Sequence, residues 1–254
     1  MNAAALRTPT DGDPTTSIEY MKFAIFDLDH TLLPVDSCGG WTRWLAKAAG
    51  MDAESVVREE EIYAGGYSTG SFDVDGFMAF QLGLLAKCRR ADLDRWMADY
   101  LEARIRPNIL PAAIELLESR RRAGYELVLA SGTHAFVTGP IARILGISHL
   151  VASRPETTAD GEFTGRLCGS HSYQEGKLIL VKAFLEAECA RVGGTPDTVP
   201  LELEAYSDSI NDLPLLDFAA RHGSAVAVNP DDKLRALAAE RGWLIKDIFE
   251  KVDA

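Results

Sequence analysis

The stretch FAIFDLDHTLLP, residues 23–34, places a short apolar run directly before two carboxylates, Asp27 and Asp29. The run predicts a buried central strand that ends in a functional loop. Because aspartate is depleted in strands, strand propensity does not account for the pair. A turn or a helix N-cap is the competing explanation for an isolated Asp-x-Asp pair, so the rest of the chain has to decide between them.

The chain downstream of Pro107 alternates between helical and strand patterns. The pair Asp160-Gly161, in TTADGEFTGRL, indicates a hairpin turn. Helices are predicted at 112–124, 135–145, 175–192, 213–220 and from 231, and strands at 22–26, 125–130, 149–152, 202–207 and 225–228. Strands that alternate with helices in this way predict an α/β fold with a parallel sheet that is covered by helices on both faces.

Residues 40–106 have a different character, because apolar residues recur at helical spacing in segments separated by Gly-rich or polar breaks. We therefore expect a helical insertion at residues 37–106, between the first strand and the others. The α/β core is expected to comprise residues 21–36 and 107–254. Residues 1–20 are mostly polar and predict a disordered N-terminal extension.

The composition limits the classes of partner. The 254 residues carry a formal net charge of -12, from 26 basic and 38 acidic side chains, and this average field repels nucleic acid and anionic membranes. A small anionic substrate therefore needs a locally positive site. No apolar run approaches the roughly 20 residues that cross a bilayer, and the N-terminus lacks the pattern of a signal peptide. The four cysteines form no Cys-x-x-Cys pair, so we expect reduced thiols in a cytoplasmic protein.

Three further signals lie at predicted strand ends or at the start of a helix. They are Ser131-Gly132 after the strand at 125–130, Lys177 at the start of a helix, and Asp208 with Asp212 after the strand at 202–207. Taken singly, each has a simpler explanation, since serine and aspartate cap helices and a lysine is usually a solvated surface charge. Ligands bind at the carboxyl ends of parallel strands, so the ordered set predicts one common site.

The pattern Asp27-x-Asp29-x-Thr31 resembles the nucleophile motif of the haloacid dehalogenase superfamily phosphatases, and the other signals follow in that family's order. The resemblance implies a doubly wound, Rossmann-like parallel sheet with an inserted small helical cap of the C1 type. It implies that Asp27 attacks phosphorus and becomes an aspartyl phosphate. It also implies that Asp29 first protonates the leaving alcohol and then deprotonates the attacking water.

The same resemblance implies a set of phosphate-binding and metal-binding residues. The residues expected on the phosphate side are Ser131, Gly132, Lys177 and Asn211, although Asn211 is expected either to contact the phosphate or to orient other ligands. The residues expected around a Mg²⁺ ion are Asp27, Asp29 through its backbone carbonyl, Asp208 and Asp212. Asp212 is expected either to bind through water or to orient the other ligands.

Three segments resemble the sequences of the branch of the family that contains phosphoserine phosphatases: DLDHTLLPVDS, EGK and YSDSINDLPLL. In that branch a glutamate nine residues after the nucleophile recognises the substrate amine, and Asp36 stands at this position. Either Asp36 binds a cationic group of the substrate, or Asp36 and Ser37 only cap the first helix of the insertion. Most aromatic residues of the insertion are expected in a helix-bundle core: Trp41, Trp44, Tyr63, Tyr67, Phe72, Phe77 and Phe80.

These motifs together predict a magnesium-dependent phosphatase that acts on a small phosphorylated metabolite, such as phosphoserine or histidinol phosphate, through an aspartyl-phosphate intermediate. Two alternatives stay open. One is a phosphotransferase or mutase of the same fold, and the other is a non-catalytic regulatory protein that kept the fold. Neither nucleic acid nor a membrane is an expected partner, and the sequence leaves the oligomeric state open.

Overall fold

A computed structural model of the chain describes residues 20–65 and 72–249. Its strands are β1 (Met21–Phe26), β2 (Glu126–Ser131), β3 (His149–Ala152), β4 (Pro155–Thr157), β5 (Phe163–Leu167), β6 (Leu201–Ser207), β7 (Gly223–Val228) and β8 (Leu244–Lys246). Its α-helices are α1 (Ser37–Ala48), α2 (Ala53–Ala64), α3 (Val74–Ala86), α4 (Arg90–Tyr100), α5 (Pro111–Arg122), α6 (Ala135–Ile144), α7 (Glu175–Arg191), α8 (Leu213–Ala220) and α9 (Asp232–Arg241). Within these ranges, no helix combines the length and the apolar character that crossing a membrane requires.

Six strands form one parallel sheet in the order β3-β2-β1-β6-β7-β8. β1 is central, and its Ile25 lies opposite Val128 of β2 on one side and Ala205 of β6 on the other. The last four residues of β1 are buried, because strands flank it on both sides and helices cover both faces. The predicted central strand is confirmed, and its carboxyl end lies between the ends of β2 and β6.

The two faces of the sheet are covered by different helices. Phe23 and Ile25 of β1 pack in an apolar cluster with residues of α7, α8 and α9. Ala24 and Phe26 belong to a second cluster, which includes residues of α5 and α6. Successive side chains of a strand point to opposite faces, so this alternation fixes which helix lies on which side. The doubly wound α/β fold predicted from the sequence is confirmed.

Helices α1 to α4 form the insertion that separates β1 from α5. Trp41 of α1 is buried and packs edge-on against Tyr100 and against Phe136 of α6, with 5.6 Å between ring centroids in both pairs. The Tyr100 hydroxyl donates a hydrogen bond to the backbone carbonyl of Ser37, at 3.0 Å. The insertion is confirmed as helical, whereas its limits at residues 37 and 106 stay a prediction, because one apolar cluster continues from the insertion to the sheet.

β4 and β5 form the predicted hairpin as a separate antiparallel ladder. The Glu162 carboxylate accepts a hydrogen bond from the backbone N–H of Arg90, at 2.8 Å, near the start of α4. The Arg90 guanidinium lies over the ring of Phe163, 4.9 Å from its centroid. The hairpin therefore fastens the insertion to the core.

The structure differs from the sequence prediction in having an additional strand, β8, and in the residue at which α5 ends. β8 was not predicted, because a three-residue edge strand is too short to show a hydrophobic period. α5 ends at Arg122, and Gly124 then adopts a φ of 84°, the left-handed conformation expected at the end of a helix. The predicted disordered extension at 1–20 lies outside the described residues except for Tyr20.

Candidate active site

The carboxyl ends of β1, β2 and β6, the first turn of α7 and part of the insertion border one cavity of about 310 Å³. All the predicted site residues except Asn211 line this cavity: Asp27, Asp29, Asp36, Ser131, Gly132, Lys177, Asp208 and Asp212. The sheet thus brings together residues that are far apart in the sequence, as the carboxyl edge of a parallel sheet does. The volume suits a small molecule.

Asp27 stands at the end of β1 and is buried. Its backbone N–H donates to the carbonyl of Tyr206 at 2.9 Å, which continues the pairing of β1 with β6 and fixes the direction of the side chain. Burial raises the pKa of Asp27 to about 6, and the positive charge of Lys177 opposes this rise. The Asp27 carboxylate is therefore mostly ionised at neutral pH.

Lys177 is buried between two carboxylates. Its Nζ lies 2.9 Å from Oδ1 of Asp27, and 2.7 and 2.8 Å from the two carboxylate oxygens of Asp212. Burial by itself lowers the pKa of Lys177, but the charges of Asp212 and Asp27 more than compensate, so the pKa lies above its usual range. Lys177 is consequently a permanent positive charge at the centre of an otherwise acidic cavity.

The start of α7 places Lys177 there. The chain turns so tightly before this helix that a side chain on Gly176 would put its Cβ 2.4 Å from the backbone carbonyl oxygen of His171. Only glycine fits such a contact without displacement of the backbone. The expectation that Gly176 supports the lysine therefore has a steric basis.

Asp29 is held by hydrogen bonds to both carboxylate oxygens. Oδ1 accepts from the backbone N–H of Ser37 at 2.9 Å, and Oδ2 accepts from the hydroxyl of Thr133 at 3.0 Å. Burial raises the pKa of Asp29 to about 7, and the negative charge of Asp36 contributes to the rise. A carboxyl group with this pKa can both give and take a proton near neutral pH.

Thr31 joins the carboxylates of β1 and β6. Its Oγ1 lies 3.3 Å from Oδ2 of Asp27 and 3.3 Å from Oδ1 of Asp208, and it accepts a hydrogen bond from the backbone N–H of Asp208 at 2.9 Å. A hydroxyl has one proton to donate, so the two carboxylates share it. This threonine therefore fixes the spacing of two predicted metal ligands.

The donors around Thr31 fit a magnesium ion. Mg²⁺ takes oxygen ligands and usually keeps several waters, so two carboxylates and a backbone carbonyl suffice. Within residues 20–65 and 72–249, no three His, Cys, Asp or Glu side chains stand together as a metal-binding group. The carboxylates of Asp27 and Asp208 provide oxygen donors of the kind that a hydrated Mg²⁺ ion takes.

Ser131 ends β2 and is buried. Its Oγ accepts a hydrogen bond from the backbone N–H of Thr133 at 3.2 Å, so the chain turns sharply at Gly132 beside the cavity. Thr133 also lines the cavity and was not predicted. Its position directly after Ser131-Gly132 could have identified it, because the same turn presents all three residues.

Asn211 and Asp212 are neighbours in the sequence, but only Asp212 borders the cavity. The Asn211 side-chain oxygen accepts a hydrogen bond from Gln174 at 3.1 Å, and Asn211 does not border the cavity. Asp212 contacts Lys177 and accepts a hydrogen bond from the Ser207 hydroxyl at 2.7 Å. In this arrangement Asp212 orients the lysine, and Asn211 steadies the turn that precedes α7.

The insertion contributes Asp36 and part of an aromatic wall. Asp36 Oδ1 accepts from the backbone N–H groups of Cys38 and Gly39, so Asp36 does cap α1, and it also lines the cavity. Phe72 and Phe77 line the cavity as well, contrary to the expected core position, whereas Trp41 is buried in the core as expected. Tyr67 lies outside the described residues. Tyr173, Val74 and Met78 complete the wall and were not predicted.

The parallel sheet, the helical insertion after β1 and a buried lysine between the carboxylates of Asp27 and Asp212 define a class of hydrolases. A family model described as haloacid dehalogenase-like hydrolase matches residues 24–217. The chain belongs to this family. Within the family it is a phosphatase of the phosphoserine phosphatase-like kind.

Several known proteins are similar to this chain. A histidinol-phosphatase from Neisseria meningitidis serogroup C (strain 8013) is 35% identical over 222 residues, which are 87% of this chain and 96% of that protein. Phosphoserine phosphatase SerB1 from Mycobacterium tuberculosis (strain ATCC 25618 / H37Rv) is 29% identical over 264 residues, 97% of this chain and 80% of that protein. The crystal structure of a protein with unknown function from Bordetella pertussis Tohama I is 35% identical and has a TM-score of 0.81, with coverage of 91% of this chain and 100% of that one.

Proposed function

We propose that this phosphatase hydrolyses a small phosphomonoester with Mg²⁺ and through an aspartyl phosphate on Asp27. The observation that carries the proposal is the position of Asp27, whose Oδ1 lies 2.9 Å from the buried ammonium of Lys177 at the wall of the cavity. A carboxylate that is ionised at neutral pH is a competent nucleophile. The adjacent cation offsets the repulsion between this carboxylate and an incoming phosphate.

Asp29 supports the proposal as the proton-transferring group. In the first step, an oxygen of Asp27 forms a bond to phosphorus, the ester P–O bond breaks, and the leaving alcohol takes a proton from Asp29. In the second step, water attacks phosphorus, Asp29 takes the water's proton, and the P–O bond to Asp27 breaks to release inorganic phosphate. The pKa of Asp29, raised to about 7 mainly by burial, suits a group that changes protonation state in each step.

The phosphoryl group is expected to lie between Ser131, the backbone N–H groups that follow it, and Lys177. Hydrogen-bond donors and a fixed cation that face the developing charge stabilise the transition state without reorganisation. Asp27, Asp208 and the backbone carbonyl of Asp29 would hold Mg²⁺, which when bound supplies positive charge to the phosphoryl oxygens. Asp212 is expected to keep the ammonium of Lys177 in place.

Hydrolysis is favoured over phosphoryl transfer to a second alcohol because Asp29 remains available to activate water. The names of two relatives give two candidate substrates, histidinol phosphate and phosphoserine. Both are small phosphomonoesters of amino alcohols, and the cavity of about 310 Å³ has the size for such molecules.

An Asp27→Asn variant tests the proposal. Wild-type protein is expected to release phosphate from p-nitrophenyl phosphate in the presence of Mg²⁺, without an added acceptor alcohol. The side-chain amide of the variant is uncharged and a poor nucleophile, so kcat/KM should fall by about 10⁴ or more. Asp99→Asn, at an exposed position of α4, is the matched control and should behave as wild type. Retention of wild-type activity by Asp27→Asn would refute the proposal.

A further inference from the structure

We propose that the organic part of the substrate carries a positive charge and an aromatic or apolar surface, and no carboxylate. Asp36 and an aromatic wall formed by Phe72, Phe77 and Tyr173 are the residues that select it. This inference rests on the proposed function, because it concerns the same cavity.

The first argument for this proposal is the charge of the side chains that line the cavity. Five aspartates line it, namely Asp27, Asp29, Asp36, Asp208 and Asp212, and Lys177 is the one lysine or arginine among the described lining residues. Lys177 already contacts two carboxylates, Asp27 and Asp212. Asp27 and Asp208 are the proposed magnesium ligands, and Asp212 is paired with Lys177, so it is Asp36 that is left to repel a carboxylate of the substrate, with no lysine or arginine beside it among the described lining residues. Like charges in such a site cost affinity.

The second argument is the geometry of the Asp36 carboxylate. Its Oδ1 is occupied by the backbone N–H groups at the start of α1, at 2.9 and 3.0 Å, whereas its Oδ2 has no hydrogen-bond partner within the described part of the chain. The side chain lines the cavity at the end formed by the insertion. One carboxylate oxygen is thus rigidly anchored by the helix, and the other can accept from an ammonium or a protonated ring of the substrate.

The third argument is the aromatic wall of the cavity. Phe72 contacts Phe77 and Tyr173, with 5.2 and 5.1 Å between ring centroids, and all three rings line the cavity. Val74 and Met78 extend the same apolar surface. Phe77 belongs to the insertion and Tyr173 precedes α7 in the core, so the wall spans both parts of the protein. Aromatic faces favour flat rings and cations, which is the combination that Asp36 also favours.

Arg43 is the residue that could support the opposite selectivity. It lies on α1 near Asp36 but is exposed and does not line the cavity. If Arg43 turned inward, it could bind a substrate carboxylate and favour phosphoserine. The proposal therefore predicts that Arg43 has no effect on selectivity.

A substrate series separates these contributions. O-phosphoethanolamine is phosphoserine without its carboxylate, and histidinol phosphate adds an imidazole ring to the same amino-alcohol skeleton. We expect kcat/KM to rise from phosphoserine to phosphoethanolamine, and again to histidinol phosphate, by about tenfold or more at each step. Phosphoserine as the best substrate would overturn the proposal. Failure to hydrolyse p-nitrophenyl phosphate would instead contradict the proposed function.

Variants of the selecting residues complete the test. Asp36→Asn removes the charge but keeps a side chain that caps helices, and it should lower the ratio of kcat/KM for histidinol phosphate to that for p-nitrophenyl phosphate by about tenfold. Phe77→Leu should lower the ratio of kcat/KM for histidinol phosphate to kcat/KM for phosphoethanolamine by about fivefold. Arg43→Gln is the matched control and should leave both ratios unchanged. An unchanged ratio in Asp36→Asn, or a loss of phosphoserine turnover in Arg43→Gln, would overturn the assignment.

Calorimetry can measure the same selectivity without turnover, from the affinities of the protein for the free alcohols histidinol and serine. Histidinol should bind the wild-type protein at least about tenfold more tightly than serine, and Asp36→Asn should remove most of the difference. Equal affinities for the two alcohols would count against the proposal even if the enzyme were inactive on every phosphate ester.

Discussion

Lys177 and Asp27, which are 150 positions apart in the sequence, form a buried ion pair with 2.9 Å between Nζ and Oδ1. The same ammonium contacts Asp212, and the other oxygen of Asp27 lies near the Thr31 hydroxyl. Asp27 is therefore oriented through both of its oxygens before any substrate arrives. A nucleophile that charged and polar neighbours already hold in place does not have to reorient when the transition state forms.

Lys177→Met should abolish most of the activity. Methionine has a similar length but no charge, so Asp27 and Asp212 lose their shared cation and the phosphoryl group loses a positive partner. We expect kcat/KM for p-nitrophenyl phosphate to fall by about 10³. Lys182→Met, at an exposed position of the same helix, is the control and should retain activity. Comparable losses in the two variants would contradict a specific role for Lys177.

Asp29→Asn should affect different substrates to different degrees. An alkyl leaving group needs a proton in the first step, whereas p-nitrophenolate leaves without one. The loss of kcat/KM should therefore be about 10²-fold larger for an alkyl phosphate than for p-nitrophenyl phosphate. Equal losses for the two substrates in steady-state assays would argue that Asp29 does not protonate the leaving group.

Thr31→Val should weaken the binding of magnesium in a measurable way. The substitution removes the hydroxyl that lies 3.3 Å from both Asp27 and Asp208, so the two carboxylates are no longer held at a fixed spacing. We expect the Mg²⁺ concentration for half-maximal activity to rise about tenfold. Thr138→Val, at a buried position of α6, is the control and should leave this concentration unchanged. A chelator should abolish wild-type activity, and re-added Mg²⁺ should restore it.

His134 should make the stability of the fold depend on pH. Burial lowers its pKa from 6.5 to about 4, and its two ring nitrogens are buried without hydrogen-bond partners in the described structure. The unfolded chain therefore binds a proton first as the pH falls, and stability is lost between pH 6.5 and 4. The loss from pH 7 to pH 5 is about 2 kcal/mol.

Chemical denaturation of wild-type protein and His134→Leu over this pH range checks the prediction. The difference in unfolding free energy between the two proteins should shrink or reverse as the pH falls, because leucine binds no proton. A difference that stays constant from pH 7 to pH 5 would show that His134 is not held neutral by the fold.

The sequence predicted five of the six strands of the parallel sheet, and all the predicted site residues except Asn211 line the cavity. Asp27, Ser131 and Asp208 each follow an apolar strand, and parallel strands present their carboxyl ends at one edge, so local patterns already imply their proximity. Lys177 could be placed only through the family resemblance, because a lysine at the start of a helix carries no local sign of burial.

Other contacts depend on tertiary packing and left no local signal. The Asn211 side-chain oxygen accepts a hydrogen bond from Gln174, a partner 37 positions earlier in the chain. Phe72 and Phe77 have the apolar character of core residues, and whether they face a core or a cavity depends on how α3 lies against the loop before α7. The pairing of Asp212 with Lys177 is of the same kind.

The most direct test of the account is to identify the phosphorylated residue. Wild-type protein is mixed with substrate and Mg²⁺, quenched rapidly in acid, digested at low pH and mapped by mass spectrometry. We predict a single added phosphoryl group on the peptide that contains Asp27, and none in Asp27→Asn. A phosphoryl group on another residue, or turnover with no phosphorylated protein at any quench time, would contradict the central claim.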